Sequence, residues 1–385
     1  MNLKTQRLIK WAQGMPQPPV TIELVPTNRC NFNCPSCWRQ DCTKEELEKK
    51  FSEELSDERL LKLIDEAAEL KVRDIAFVGG GEPLMRPITF DLIKKIKKYG
   101  MEADLVTNGS LLTDEMMEMF VKIKLDRIKF SVDGSCAELQ DKLRGMKCYN
   151  QIMASIKKLN DLKKKYKSGK PRLSFNTVIS SKNYKDLPNI VSLGAKIGIN
   201  EILLLPLTVF SKEGETLKMN RKQAAEFQEI IKKCIPVLKK YNIESNMDKF
   251  IIDLRYLRDT NSMDKVMMED AEKLEIKEKI RKGEKLISEY KKNSAENFRN
   301  LPCYEPWTHI TILSNGNIAS CFNNYVWETG VTIRNHTLKE LWYGEYFEKF
   351  RKEILSRKLS KACSTCCIWR LFEVQDIRKE IAGQI

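Results

Sequence analysis

The chain has 385 residues, 42% hydrophobic and 31% charged, with a net charge of +14. That composition suits a folded protein and argues against a disordered chain or a lipid-facing one. The densest apolar run, residues 202–210, is broken at Pro206 and Thr208 and falls well short of the roughly 18 residues a spanning helix needs. No signal-peptide core follows Met1, so a cytoplasmic protein without a membrane partner is expected.

In chain order, short β-branched or apolar runs alternate with helix-period stretches from residue 20 to 207, the pattern of repeated βα units and a parallel sheet. Six strands are predicted, at residues 21–26, 74–79, 103–107, 127–132, 172–179 and 201–207. Between them, Ser56-Asp57 opens a helix with Leu60, Leu61 and Ile64 on its apolar face, and Thr113-Asp114 opens one with Met116, Met117 and Phe120. Residues 1–19 precede this α/β region, taken as 20–210, as an N-terminal extension. Residues 211–300 read as a Lys/Glu-rich helical connector or cap, with helices at 221–240 and 263–291. After Pro302, residues 310–313, the turn Asn315-Gly316-Asn317 and residues 318–321 read as a hairpin. A small cysteine-bearing domain, 301–385, follows from it. The excess Lys is concentrated in segments such as 157–170 and 275–292, interleaved with acidic and apolar residues at helical spacing. That is a solvated helix face, and a nucleic-acid partner is not expected.

Twelve cysteines without an export signal point to metal or redox chemistry rather than a disulfide framework. Cys30, Cys34 and Cys37 lie in the loop after the first strand, and Cys303, Cys321, Cys363, Cys366 and Cys367 form a second group. A structural zinc site would need a fourth ligand beside the first three, for which Cys42 is the nearby alternative. Three thiolates alone suit a 4Fe-4S cluster with one iron left open.

Cys-x3-Cys-x2-Cys in this position resembles the radical S-adenosylmethionine (SAM) superfamily, whose members carry it after the first strand of a partial (βα)6 barrel. Gly79-Gly80-Gly81-Glu82-Pro83, after the second strand, looks like the family segment that holds the amino group of SAM. Thr107-Asn108-Gly109 and Ser131-Val132-Asp133-Gly134 are similar to segments around its ribose and methionyl portions, and Arg144-Gly145 to a pair whose arginine meets its carboxylate. Asn176, on the fifth strand, is a further polar candidate. Elementary physics agrees with the placement: parallel βα architectures hold ligands in loops at the carboxyl ends of strands. Glycines there let the backbone approach closely, and Glu82 or Asp133 can accept from an ammonium or a hydroxyl. The chain departs from the family pattern at Ser36, where an aromatic residue is usual; Trp38 stands after the third cysteine instead and is the candidate to pack on the adenine, or to anchor the loop.

Cys303 and Cys321 have 17 residues between them, Gly316 stands four intervening residues ahead of Cys321, and Cys363-x2-Cys366 follows after 41 more. This resembles the SPASM and twitch auxiliary-cluster domains. Five cysteines favour one auxiliary 4Fe-4S cluster, held by Cys303, Cys321, Cys363 and Cys366, with Cys367 the alternative to Cys366 and tetrahedral zinc the alternative metal.

The resemblance implies a radical SAM oxidoreductase or epimerase. An electron, delivered by a reductant such as flavodoxin or ferredoxin, would cleave SAM to methionine and a 5′-deoxyadenosyl radical that takes hydrogen from the substrate. Cys136 and Cys148, after the fourth strand, are candidates to return hydrogen in an epimerisation; these and Cys234 are otherwise small buried hydrophobes. His309 and His336 are weighed as bases, His309 against a packed neutral imidazole. Only 29 residues precede Cys30, which leaves no room for a leader-binding domain and tilts the expectation to a small polyhydroxylated, sugar- or cyclitol-like substrate. A ribosomal peptide is the alternative substrate, and an iron-sulfur electron carrier the alternative function.

Overall fold

The computed structural model describes residues 1–250, 301–321, 330–356 and 368–382. The helix expected at 263–291 and the cysteines at 363, 366 and 367 lie outside them. The chain divides into two compact units, one of Met1–Leu24, Leu55–Ile75 and Asp264–Ile385, the other of Val25–Glu54 and Ala76–Met263. Nine strands are described: β1 (Thr21–Leu24), β2 (Asp74–Phe77), β3 (Glu102–Thr107), β4 (Arg127–Ser131), β5 (Arg172–Ile179), β6 (Glu201–Pro206), β7 (Glu244–Ser245), β8 (His309–Ile312) and β9 (Ile318–Ala319). The six strands read from the sequence are present, each ending within two residues of its expected place.

In the second unit β3 to β7 lie side by side in sequence order, every neighbour parallel. Alternation decides which way each strand faces: on β4, Ile128 and Phe130 are fully buried, while Lys129 between them and Ser131 after them are half-buried. Ile202 and Leu204 of β6 repeat the pattern, and Phe175 of β5 is buried too, each contributing about 1.5–3 kcal/mol by its burial. The connecting helices begin at side-chain caps. Thr113 accepts from the Met116 amide, and Asn220 and Gln223 form a reciprocal capping box at the start of the helix Arg221–Lys240. β7, two residues long, has no alternation to read and is not foreseen from periodicity.

In the first unit β8 pairs in parallel with β1, Thr21 opposite His309 and Leu24 opposite Ile312, and antiparallel with β9. The expected Asn-Gly turn is there: Gly316 has φ +88°, a conformation glycine adopts without strain. The residues expected to be an extension form the helix Leu3–Ala12, capped by Asn2. Its Leu8, Ile9 and Ala12 share one buried cluster with Leu301, Tyr304, Trp307, Phe350 and Ile354. Of the helix opened by Ser56, Leu60, Leu63 and Ile64 are buried, whereas Leu61, expected on that face, is only half-buried. Among the described residues, no helix is long and apolar enough to cross a membrane.

Candidate functional site

After β1 the chain enters a loop whose start is pinned by Glu54: one carboxylate oxygen accepts from the Thr27 hydroxyl at 2.8 Å and the Asn28 amide at 2.7 Å. Cys30, Cys34 and Cys37 are all half-buried in this loop. It folds back on itself through the Cys37 amide to the Cys34 carbonyl at 3.0 Å, Arg39 to the carbonyls of Cys30 and Phe32 at 3.1 and 3.3 Å, and Gln40 to the Cys34 carbonyl at 3.0 Å. Burial pushes the Cys30 and Cys37 thiols up, and the neighbouring Cys34 sulfur adds to it, against the Phe32 amide at Cys30 and the Arg39 amide at Cys37. Among the described residues no three His, Cys, Asp or Glu side chains converge as they would round one ion. Three half-buried thiols on one hydrogen-bonded loop are a donor set whose chemistry suits a 4Fe-4S cluster with one iron left open. The Cys42 sulfur lies 3.7 Å from the Trp38 carbonyl, with Glu46, Lys50, Asp41 and Arg39 as its charged neighbours.

The loop after β2 runs against this one. The Gly81 amide donates to the Thr27 carbonyl at 2.9 Å and the Glu82 amide to the Arg29 carbonyl at 2.8 Å. A Cβ on Gly81 would stand 2.0 Å from the Arg29 carbonyl oxygen, and one on Gly80 2.8 Å from Val25 Cγ1. Pro83 opens the short 3-10 turn Pro83–Met85. Trp38, a candidate for the adenine, donates its indole N–H to the Gly80 carbonyl at 2.9 Å, which ties the cysteine loop to the glycines.

Glu82 is 2% exposed. One oxygen accepts from the Thr107 hydroxyl at 2.7 Å and the Leu84 amide at 3.2 Å, the other from the Asn108 amide at 2.7 Å. Burial raises its carboxyl, against these three donors. Rather than standing open for an ammonium, Glu82 ties the end of β3 to the glycine loop. Asn108 works the same way: its amide nitrogen donates to Asn31 Oδ1 at 2.9 Å and its oxygen accepts from Ser110.

At the ends of β4 and β5 a second polar group gathers. Asp133 Oδ1 accepts from the Val178 amide at 2.7 Å, and Oδ2 meets Arg144 at 2.8 Å. Gln140 accepts from the Asp133 and Gly134 amides and donates to the Ser131 carbonyl. Two buried atoms here make no hydrogen bond to protein: Asn176 Oδ1, an acceptor, and Arg144 Nε, a donor. They leave a place for a polar ligand to complete.

The other candidates are dispersed. Cys136 is exposed at the N-cap of the helix Ala137–Arg144. Cys148 is buried against Gln140 and Asp141, its thiol pushed up to about 11 by burial and then by Asp141; burial alone takes Cys234 to about 11. Both are held as neutral thiols. His309 is buried, with Nε2 3.2 Å from Thr311 Oγ1 and 3.3 Å from Glu23 and Nδ1 3.7 Å from Glu305, the packed imidazole of the two alternatives. The His336 carbonyl accepts from Arg59 at 2.9 Å. Cys303 and Cys321 are half-buried, and the Glu305 amide points at the Cys303 sulfur from 3.4 Å. Sequence reasoning missed Asn31, Ser110, Gln140 and Glu54. Asn31 is a variable position inside the cysteine motif, Ser110 follows the Thr107-Asn108-Gly109 segment and the other two stand outside any motif; each acts through a side-chain hydrogen bond that local spacing does not announce.

The family model of the radical SAM superfamily matches residues 24–194, and that of the SPASM iron-sulfur cluster-binding domain residues 303–367. A tungsten-containing aldehyde ferredoxin oxidoreductase cofactor-modifying protein of Pyrococcus furiosus is 30% identical over 186 residues, 47% of this chain and 51% of that one. A PqqA peptide cyclase of Granulibacter bethesdensis is 32% identical over 182 residues, 47% of this chain and 46% of that one. The chain thus spans about half the length of these relatives. Among solved structures, Streptococcus suis SuiB bound to S-adenosylmethionine superposes with a TM-score of 0.62 at 13% identity, over 92% of this chain and 72% of that one, a likeness of fold.

Proposed function

We propose that this chain, which belongs to the radical SAM superfamily and carries a C-terminal SPASM domain, is a maturase that modifies a peptide. Its cofactors are a SAM-binding 4Fe-4S cluster, an auxiliary cluster and SAM itself. In our reading Cys30, Cys34 and Cys37 hold the first cluster, and Cys303 and Cys321, with Cys363 and Cys366 or Cys367, the second. When bound, the first cluster and SAM supply one-electron chemistry able to take hydrogen from an unactivated C–H bond.

The protein's own part is placement. Gly80 and Gly81 bring bare backbone beside the cysteine loop, and Trp38 and Glu82 keep it there. Asn176 Oδ1 accepts from an ammonium or hydroxyl, and Arg144 Nε donates to a carboxylate, which are complementary to the polar groups of SAM. The observation that carries the reading is the hydrogen-bonded lacing of the three-cysteine loop to the glycine loop, and the two unpartnered buried atoms add to it.

The similarity to a peptide cyclase supports the peptide over the sugar- or cyclitol-like substrate expected from the short segment before Cys30. Anaerobic enzyme incubated with SAM, dithionite and short peptides encoded beside its gene should form 5′-deoxyadenosine and shift a peptide's mass by whole hydrogens. Modification of a tetrapyrrole or pterin cofactor, with every peptide unchanged, would overturn the peptide assignment and leave SAM cleavage standing.

A further inference from the structure

The helices Ile88–Lys98, Asp114–Lys122, Tyr149–Lys165 and Arg221–Lys240 lead into β3, β4, β5 and β7 of the second unit. Those strands lie in one parallel array, so the four helix ends gather at its amino-terminal rim, opposite the cysteine and glycine loops. Three of them close alike, as Lys97-Lys98-Tyr99, Lys164-Lys165-Tyr166 and Lys239-Lys240-Tyr241, with the tyrosine at the C-cap each time. Residues 163–172 hold six Lys or Arg and no Asp or Glu. Glu118 engages Lys122 and Lys165, and Asp126 engages Lys97 and Lys170. Among the described residues, Lys98, Lys124, Lys164, Lys167, Lys239 and Lys240 are exposed and have no acidic partner. The helix dipole favours a cation in the last turn, which accounts for the paired lysines but not for the position beyond them. Lys124 and Lys167 stand there at φ +56° and +48°, in the left-handed region where glycine is usual, and Gly100 takes the equivalent place after Tyr99. The strain on a side chain there exceeds what an exposed cation gains from the dipole. Stability therefore does not explain these two lysines, and strain kept at a cost to stability points to a function.

We propose that this rim is a docking surface for an acidic segment of a partner polypeptide. Its exposed cations are lysines, compact charges that attract carboxylates without the planar, two-pronged geometry by which arginine reads phosphate. Two of its rings are already covered by ammonium groups, Tyr166 by Lys122 and Lys165 and Tyr241 by Lys240, whereas single-stranded nucleic acid needs open rings on which bases stack. The exposed large hydrophobic side chains among the described residues are all Met or Tyr, with no Trp, Phe or Leu to sink below lipid headgroups. The rim lies at the other end of the strands from the cysteine loop, so the inference goes beyond the proposed function and depends on neither cluster nor SAM.

The test is binding of fluorescein-labelled poly-L-glutamate to the full chain, followed by anisotropy at low and high salt. The parent should bind at low salt and release the probe at high salt, where exposed charges are screened. Lys124→Gly with Lys167→Gly removes two cations and their backbone strain together. That variant should match or exceed the parent's Tm and bind the probe roughly 2–30-fold more weakly, the worth of two exposed ion pairs. Lys44→Gln with Lys49→Gln, an equal loss of charge on the helix that follows the cysteine loop, should bind like the parent. Parent-level affinity in the glycine variant, an equal loss in both variants, or a glycine variant with a Tm below the parent's overturns the inference. Tighter binding of poly-uridylate or of phosphatidylglycerol vesicles, at matched charge and salt, also overturns it and assigns the rim to nucleic acid or lipid.

Discussion

The Asn108 amide donates to Glu82 Oε2 at 2.7 Å, joining the end of β3 to the glycine loop through a carboxylate that is 2% exposed. Glu82→Ala leaves the donors of Asn108, Thr107 and Leu84 facing a hole, and an unsatisfied buried donor costs about 1–3 kcal/mol. A fall in Tm is expected together with weaker SAM binding, by roughly tenfold or more for each 1.4 kcal/mol lost at the loop. Thermal melts and calorimetric titration of SAM check both; an unchanged SAM affinity would remove Glu82 from the site.

At Gly81 the limit is contact rather than dihedral angle, because an added methyl would stand 2.0 Å from the Arg29 carbonyl oxygen. Gly81→Ala should therefore abolish 5′-deoxyadenosine formation by forcing the glycine and cysteine loops apart. Gly100→Ala is the control: at φ +75° with nothing within 4 Å, it should cost about 1 kcal/mol of stability and leave SAM cleavage intact.

Asp126 gathers Lys97 at 2.5 Å, Lys170 and the Ala103 amide at 2.8 Å. Burial opposes its charge, but the two ammonium groups and the amide hold the carboxyl below the usual carboxylate range. A depressed native pKa means stability that is fully present above the unfolded value, near 3.9, and lost as pH falls through the lower native one. Asp126→Asn should cost about 1–3 kcal/mol at neutral pH, and denaturant midpoints of variant and parent should converge in acid. A constant difference from neutral to acid pH would contradict this account of Asp126.

The auxiliary cluster is separable from the first. Protein with Cys30→Ala, Cys34→Ala and Cys37→Ala, purified anaerobically, should retain iron and sulfide in equal amounts near four of each per chain, as a remaining 4Fe-4S cluster requires. Zinc without sulfide would sink the auxiliary-cluster assignment.

The sequence disclosed the repeated βα units because each strand has its own alternation and each helix its own cap, as with Thr113 and Asn220. The partner of β8 was not legible: Thr21 and His309 are opposite each other across a parallel pair, and such a pairing leaves no trace in local periodicity. The helix Leu3–Ala12 was passed over as an extension for a like reason, since the residues that bury Leu8 and Ile9 come after position 300. At the site, the cysteines and glycines were legible by spacing. The roles of Glu82 and Trp38 were not, because both side chains answer to loops distant in sequence.

The account turns on the first three cysteines presenting a cluster to SAM, and 5′-deoxyadenosine yield under dithionite measures it most directly. The parent protein should form 5′-deoxyadenosine, and Cys34→Ala should form none above background while keeping its remaining iron and sulfide. Parent-level yield from Cys34→Ala, or none from the parent with an intact cluster, would contradict it.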